Sequence, residues 1–143
     1  MANEQIAKVG IGLLVIRGQQ VLLGKRKGSH GEGEYGGPGG HLEYGEACAE
    51  TALRELSEEC GDDIKGNNLR MLCVTDILKY PPKHYVDIGF VADWVSGEPK
   101  TMEPDRVESW GWYDLDDLPS PLFGAEDNYI EALKTDQTYF QNC

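Results

Sequence analysis

The alternation of apolar and polar positions along the chain sorts it into a series of strands and two helices. Residues 8–16 (KVGIGLLVI) are dense in branched side chains and predict a strand, with two glycines that allow close backbone approach. Arg17-Gly18-Gln19 reads as a turn, and residues 20–26 return as a second strand, so the pair predicts a hairpin. Residues 69–78 are strand-like up to the interruption at Tyr80-Pro81-Pro82-Lys83, and residues 85–95 (YVDIGFVADWV) alternate as a half-buried strand should. After a turn at Ser96-Gly97-Glu98-Pro99, residues 109–113 (SWGWY) predict a short strand with aromatics anchored on opposite faces and one of Trp110 and Trp112 in the core. Residues 114–121 read as an acidic turn ended by prolines. Residues 125–134 predict a terminal helix with Tyr129, Ile130 and Leu133 as its apolar side, and the last nine residues read as irregular.

Between the two groups of strands, the helical pattern from Gly45 to Gly61 carries an unusual concentration of acid. Glu55, Glu58 and Glu59 stand three and four residues apart, which places them on one helix face. Ala49, Leu53, Leu56 and Cys60 are expected to point the other way, against a sheet. Like charges packed together cost stability unless something positive lies among them. Carboxylate oxygens are what Mg²⁺ or Mn²⁺ prefer, so a divalent cation is the expected neutraliser. The preceding stretch, residues 27–40, holds seven glycines in fourteen positions and predicts a loop that faces a ligand as it delivers the chain into the acidic helix.

The element order predicts an α/β fold, a central mixed β-sheet with helices packed on both faces. A length of 143 residues fits one domain, 1–143, with its core at about residues 8–134. The formal net charge of −12 argues against a nucleic-acid surface or an anionic membrane as partner, while leaving room for a polyphosphate bridged by metal ions. Lys25, Arg26 and Lys27 form the single basic cluster. Cys48, Cys60, Cys73 and Cys143 include no CxxC pair, so neither a zinc site nor a disulfide framework is expected. With no signal-like or membrane-length apolar run, a cytoplasmic location is the expectation.

Gly40, Glu46, Arg54-Glu55-Leu56, Glu58-Glu59 and Gly61 stand at the spacings of the Nudix box: Gly, five residues, Glu, seven residues, Arg-Glu-aliphatic, one residue, Glu-Glu, one residue, Gly, aliphatic. One position departs, since Asp62 stands where the family usually has an aliphatic side chain. Pro38-Gly39-Gly40 precedes the box as in many members, with Tyr35 in the place often held by tryptophan. Together with the flanking strings GKRKGSHGEGEYGGPGGHLEYGE, ESWGWYDLDDLP and PLF, the chain resembles the MutT-like nucleoside triphosphate diphosphatases of the Nudix family over residues 8–134. The resemblance implies a Nudix-type α/β/α sandwich.

It also implies roles. Glu55 and Glu59 match the main metal ligands, and Glu58 a carboxylate that binds metal directly or through water. A backbone carbonyl at Gly39 or Gly40 commonly adds a ligand, and Glu55 is a candidate to orient or deprotonate the attacking water. Glu46 matches a residue that fixes the loop and helix, and its charge suits the unpaired amides where the helix opens. Arg54 reads as structural, with Glu50 and Glu58 four residues away on either side in a charge ladder that could hold Glu58 in place. Gly61 ends the helix. Glu103 is a candidate for a further metal carboxylate or an ordinary loop acid. Lys25 and Arg26 could reach phosphates, as could His41, or they decorate a solvated strand end and a loop. His84, Tyr85, Leu122 and Phe123 are candidates to border a base, against the plainer reading that they pack the core and anchor the strand.

The expected reaction is Mg²⁺-dependent hydrolysis of a phosphoanhydride in a nucleoside triphosphate, canonical or modified, to the monophosphate and pyrophosphate. The alternatives are another diphosphate compound (a nucleotide sugar, an isoprenyl diphosphate or dihydroneopterin triphosphate) or a nucleotide-binding module without hydrolysis, which would predict a lost box carboxylate. The expected partner is a small molecule, with the chain a monomer or homodimer.

Overall fold

The computed structural model describes residues 5–28 and 30–143. Strand β1 (Lys8–Arg17) turns at Gly18 into β2 (Gln20–Arg26), and the two pair antiparallel at Ile16–Val21 and Arg17–Gln20. Beyond that corner they separate. The first half of β1 pairs instead with β4 (Gly39–His41), and the end of β2 pairs with β3 (Tyr35–Gly36). The glycine-rich segment expected as a loop therefore contains two short strands. Its missing side chains let it lie flat against its neighbours: a Cβ on Gly37 would come 2.5 Å from the Leu13 carbonyl.

Helix α1 (Cys48–Cys60) follows, then the long hairpin β5 (Lys65–Tyr80) and β6 (Lys83–Ser96), β7 (Val107–Asp114), α2 (Glu126–Thr135) and β8 (Tyr139–Asn142). β6 lies parallel to β1 along nine residue pairs, which makes the sheet mixed, and β7 is antiparallel to β2. The tail expected to be irregular adds β8, parallel to β5 from Val74–Tyr139 to Ile77–Asn142. Four residues are too few for periodicity to reveal, and the open edge of β5 supplies the pairing.

The sheet separates two cores. Toward α1, Ile11, Leu13, Val15, Leu22, Phe90 and Ala92 pack on Ala52, Leu56 and Cys60. Toward α2, Leu14, Val21, Leu23, Cys73 and Val91 pack on Tyr129, Ile130 and Ala132. The layering is the expected α/β/α sandwich. On α1 itself, Leu53 is exposed rather than packed, and Thr51 and Ala52 are fully buried in its stead. Trp110 and Trp112 both lie against the α1 core while Tyr113 lies against the α2 core, as period-two alternation requires of residues two apart. Among the described residues no helix is long and apolar enough to cross a membrane.

Candidate active site

One cleft of about 720 Å³ runs across the sheet where β1 and β2 part. At one end stands α1. Its first turn is held by Glu50, whose carboxylate accepts from the Ala47 amide at 2.8 Å, the return half of a capping box. Glu50 is thus unavailable to Arg54, and the expected ladder forms differently. The Arg54 guanidinium takes Glu46 in a fork (2.7 Å and 3.2 Å), Glu55 at 2.9 Å, Glu58 at 3.1 Å and Glu43 at 3.3 Å. Glu46 lies in the turn before the helix rather than at its amides, and it also accepts from the Thr51 hydroxyl at 2.7 Å. Arg54 and Thr51 hold the Glu46 carboxyl down to about 2. The same hydrogen bonds raise the Arg54 pKa, so the tie is ionic at any working pH.

Glu55 and Glu59 face the cleft one helical turn apart, with carboxyls near enough to hydrogen-bond when one carries a proton. Burial, above all, raises the pKa of both, and Glu59 is only 9% exposed. The Gly39 amide donates to Glu59 at 2.9 Å, which fixes that carboxyl against the β4 backbone. Gly40 must lack a side chain, because a Cβ there would lie 2.5 Å from the Glu55 carboxyl carbon. Glu58, one residue along, is half-exposed and paired with Arg54.

The other end of α1 is closed by backbone. The Gly61 amide donates to the Ser57 carbonyl at 2.9 Å, and Lys100 donates to the Cys60 carbonyl at 2.8 Å. That crossing brings the following loop over the helix, so Glu103 lines the cleft near Glu59. Asp62 is exposed and accepts from the Ser57 hydroxyl, while Ile64, two residues on, fills the core with 3% exposure. The departure from the box therefore costs the core nothing.

A buried carboxyl beside a partly buried one, a third at their flank and a glycine backbone in contact suit a hard divalent cation better than any other neutraliser. Among the described residues no three acidic, imidazole or thiol groups converge into a ready-made cage. Mg²⁺ does not need one, since it keeps several waters and takes further oxygens from a phosphate ligand.

The remaining candidates divide by strand alternation. Arg26 lines the cleft with its guanidinium 3.8 Å from the centre of the Phe123 ring, and burial lowers its pKa. Lys25 lies outside the cleft and pairs with Glu108 at 3.7 Å on the strand's other side. Tyr85 lines the cleft with its ring stacked on His41 at 5.5 Å, whereas His84 lies outside it, 3.8 Å from Asp76. Phe123 lines it, stacked on Tyr80 and edge-on to His30, while Leu122 packs into the α2 core. Lys25, His84 and Leu122 are thus not part of the cleft, since neighbours on an extended backbone face opposite ways.

Lys83, Asp87, Arg106, Glu126 and Tyr129 also line the cleft, and none of them stands in a motif that marks it as a site residue. Asp87 carried a signal, as an acid in the middle of the apolar run YVDIGFVA. Glu126 carried none, because an acid in the first turn of a helix is ordinary.

Residues 7–133 match the NUDIX domain model. The chain is 33% identical over 117 residues to the mouse (Mus musculus) oxidized purine nucleoside triphosphate hydrolase, covering 82% of this chain and 72% of that one. It is 36% identical over 107 residues to the NAD-capped RNA hydrolase NudC of Pseudomonas aeruginosa, covering 75% of this chain but spanning only 36% of that relative's length. Among solved structures, a MutT NUDIX hydrolase from Burkholderia pseudomallei superposes with a TM-score of 0.82 at 38% identity, over 90% of this chain and 98% of that one.

Proposed function

The chain belongs to the Nudix family of hydrolases, whose members generally use divalent metal ions, and from that premise we propose that it hydrolyses a nucleoside triphosphate to the monophosphate and pyrophosphate with Mg²⁺. The observation that carries this reading is the continuity of one cleft, from the Glu55–Glu59 carboxyls at α1 to an aromatic-walled floor against α2. The two ends are suited to the two halves of a nucleotide.

Glu55, Glu59 and a backbone carbonyl at Gly39 or Gly40 would hold the cation, with Glu58 and Glu103 at its margin. When bound, the cation supplies charge neutralisation for the phosphates and acidifies a water. The protein groups do the rest. Arg54 fixes the orientation of Glu55 through the bond at 2.9 Å, so that its carboxylate can hold a water in line with the phosphorus and accept its proton. Arg26, Lys83 and Arg106 bring positive charge to the same cleft, where it would offset the charge on the departing pyrophosphate. The net charge of −12 supports a small-molecule substrate over a nucleic acid.

The test is a panel of canonical and 8-oxo nucleoside triphosphates, ADP-ribose, nucleotide sugars and isoprenyl diphosphates, assayed for phosphate and pyrophosphate with and without Mg²⁺. Mg²⁺-dependent pyrophosphate release from a triphosphate, with the highest kcat/KM of the panel, is the expected result. Turnover confined to a non-triphosphate would overturn it.

A further inference from the structure

Thr51 occupies a spacer position of the box, so the motif is silent about it, yet it is fully buried on α1. It stands one helical turn before Glu55, on the stripe that Glu55 and Glu59 continue. Threonine is a poor helix former, and a hydroxyl taken out of water needs a partner. Alanine would suit the helix better, and valine would fill the same space with no such demand. A threonine inside a helix ordinarily donates back to the carbonyl four residues earlier. Here that carbonyl, of Ala47, already accepts from the Thr51 amide at 3.1 Å and lies 3.2 Å from the hydroxyl. Oε1 of Glu46 lies at 2.7 Å. A hydroxyl has one proton to give, and the nearer, charged acceptor takes it.

The other donors to Glu46 do not fix it in place. Oε1 takes Nη2 of Arg54 at 3.2 Å and the Glu43 amide at 3.4 Å, and Oε2 takes Nε of Arg54 at 2.7 Å. The fork locks Glu46 and Arg54 to each other, but the guanidinium ends a long, partly exposed stem with many rotamers. Glu46 itself stands in the turn before the helix. Thr51 is different, because its side chain is short, branched at Cβ and enclosed in the core. It is the one partner of Glu46 that cannot swing. With Glu46 pinned there, the fork turns Nη1 of Arg54 toward Glu55 at 2.9 Å and Glu58 at 3.1 Å. Restraint therefore passes from the core through Thr51, Glu46 and Arg54 to the carboxylates of the cleft.

Resting on the cation reading of the Glu55–Glu59 pair, we infer that the Thr51 hydroxyl is a positioning group for that site, pinning Glu46 so that Arg54 presents Glu55 and Glu58 in one fixed orientation. Thr51 touches neither cation nor substrate and acts only through Glu46. Two substitutions separate this role from packing. Thr51→Val keeps the branched shape and removes the donor, while Thr51→Ser keeps the donor and removes a methyl group. A residue that only fills space would tolerate the first better than the second. A positioning hydroxyl does the reverse.

The experiment measures Mn²⁺ affinity by the electron paramagnetic resonance of the free ion, with circular dichroism to show that each variant is folded. Removing a partner that orients a metal ligand typically costs ten- to a hundredfold in affinity, and Thr51 acts through two links. Thr51→Val should therefore weaken Mn²⁺ binding by about three- to tenfold, with Thr51→Ser within about twofold of wild type. In a Glu46→Gln background Thr51→Val should add nothing further, because the link it acts through is already changed. A Thr51→Val protein with wild-type affinity, an equal loss in Thr51→Ser, or an undiminished loss in the Glu46→Gln background would each overturn the inference. A second readout needs no metal: in the metal-free protein, exchange of the Arg54 Nε–H with water, followed by NMR, should be slow in wild type and Thr51→Ser and at least about threefold faster in Thr51→Val. If the wild type binds no Mn²⁺, the cation reading fails by itself and this exchange decides the clamp, with equal rates in wild type and Thr51→Val overturning it.

Discussion

Arg54 holds Glu43, Glu46, Glu55 and Glu58 at once, so a single substitution tests how far the site depends on one side chain. Arg54→Ala would free Glu46 from its fork and leave Glu55 beside Glu59 without a cationic neighbour. The expected result is a loss of about 10- to 100-fold in kcat/KM, the usual effect of removing a partner that orients a ligating group, together with a lower Tm. Arg54→Lys should recover only part of it, because an ammonium cannot reproduce the fork. Steady-state kinetics and a melting curve on both variants check this. Helical spacing alone points to Glu50 and Glu58 as the partners of Arg54. Glu58 is one, but Glu50 is turned back to the Ala47 amide, and Glu46 reaches Arg54 from outside the helix, where spacing rules say nothing.

The elements were legible where the pattern was long. Strands β1, β2, β5 and β6 and both helices stand within a few residues of where alternation and helical periodicity place them. What sequence could not show is pairing: that β1 changes partner from β2 to β4 halfway along, and that the tail finds the edge of β5. The cleft depends on that change of partner, and the floor depends on Gly12 and Gly89, the seat of the Tyr129 ring, which local pattern reads as weak strand positions. Gly12→Ala should therefore be costly beyond its helix or strand propensity. The added methyl displaces Tyr129 from its seat, at a cost of about 1–3 kcal/mol typical of overpacking, measurable by denaturant titration. At the end of α2, Asp136 takes the left-handed conformation (φ 62°) with its amide bonded to the Ala132 carbonyl. Asp136→Gly should stabilise the protein by a few tenths to about 1 kcal/mol in the same measurement.

Across the whole molecule, Glu55, Glu59, Asp87 and Glu126 at the cleft are shifted in one direction. Asp87 at about 7 and Glu126 at about 8 hold protons more tightly when folded than in the unfolded chain, where such groups titrate near 4, and burial raises Glu55 and Glu59 as well. The folded state then binds more protons than the unfolded state between about pH 4 and pH 8, so stability falls as pH rises through that window. Tm measured without divalent metal should decline from pH 5 to pH 8, and Asp87→Asn should flatten the decline. Added Mg²⁺ should raise Tm at pH 8, because binding to the folded protein alone stabilises it. A Tm that rises over this range would mean that these carboxyls are not held as the cleft suggests.

The central claim is that the Glu55–Glu59 pair is a divalent-cation site for phosphoanhydride hydrolysis. The most direct test is the Mg²⁺ dependence of pyrophosphate release from the preferred triphosphate by wild type and Glu59→Gln, with both shown to be folded. The account predicts saturable activation in the wild type and a rate at least about a hundredfold lower in the variant, whose neutral amide is otherwise accommodated where a buried anion was not. A Glu59→Gln protein that keeps near-wild-type, Mg²⁺-dependent turnover would contradict it.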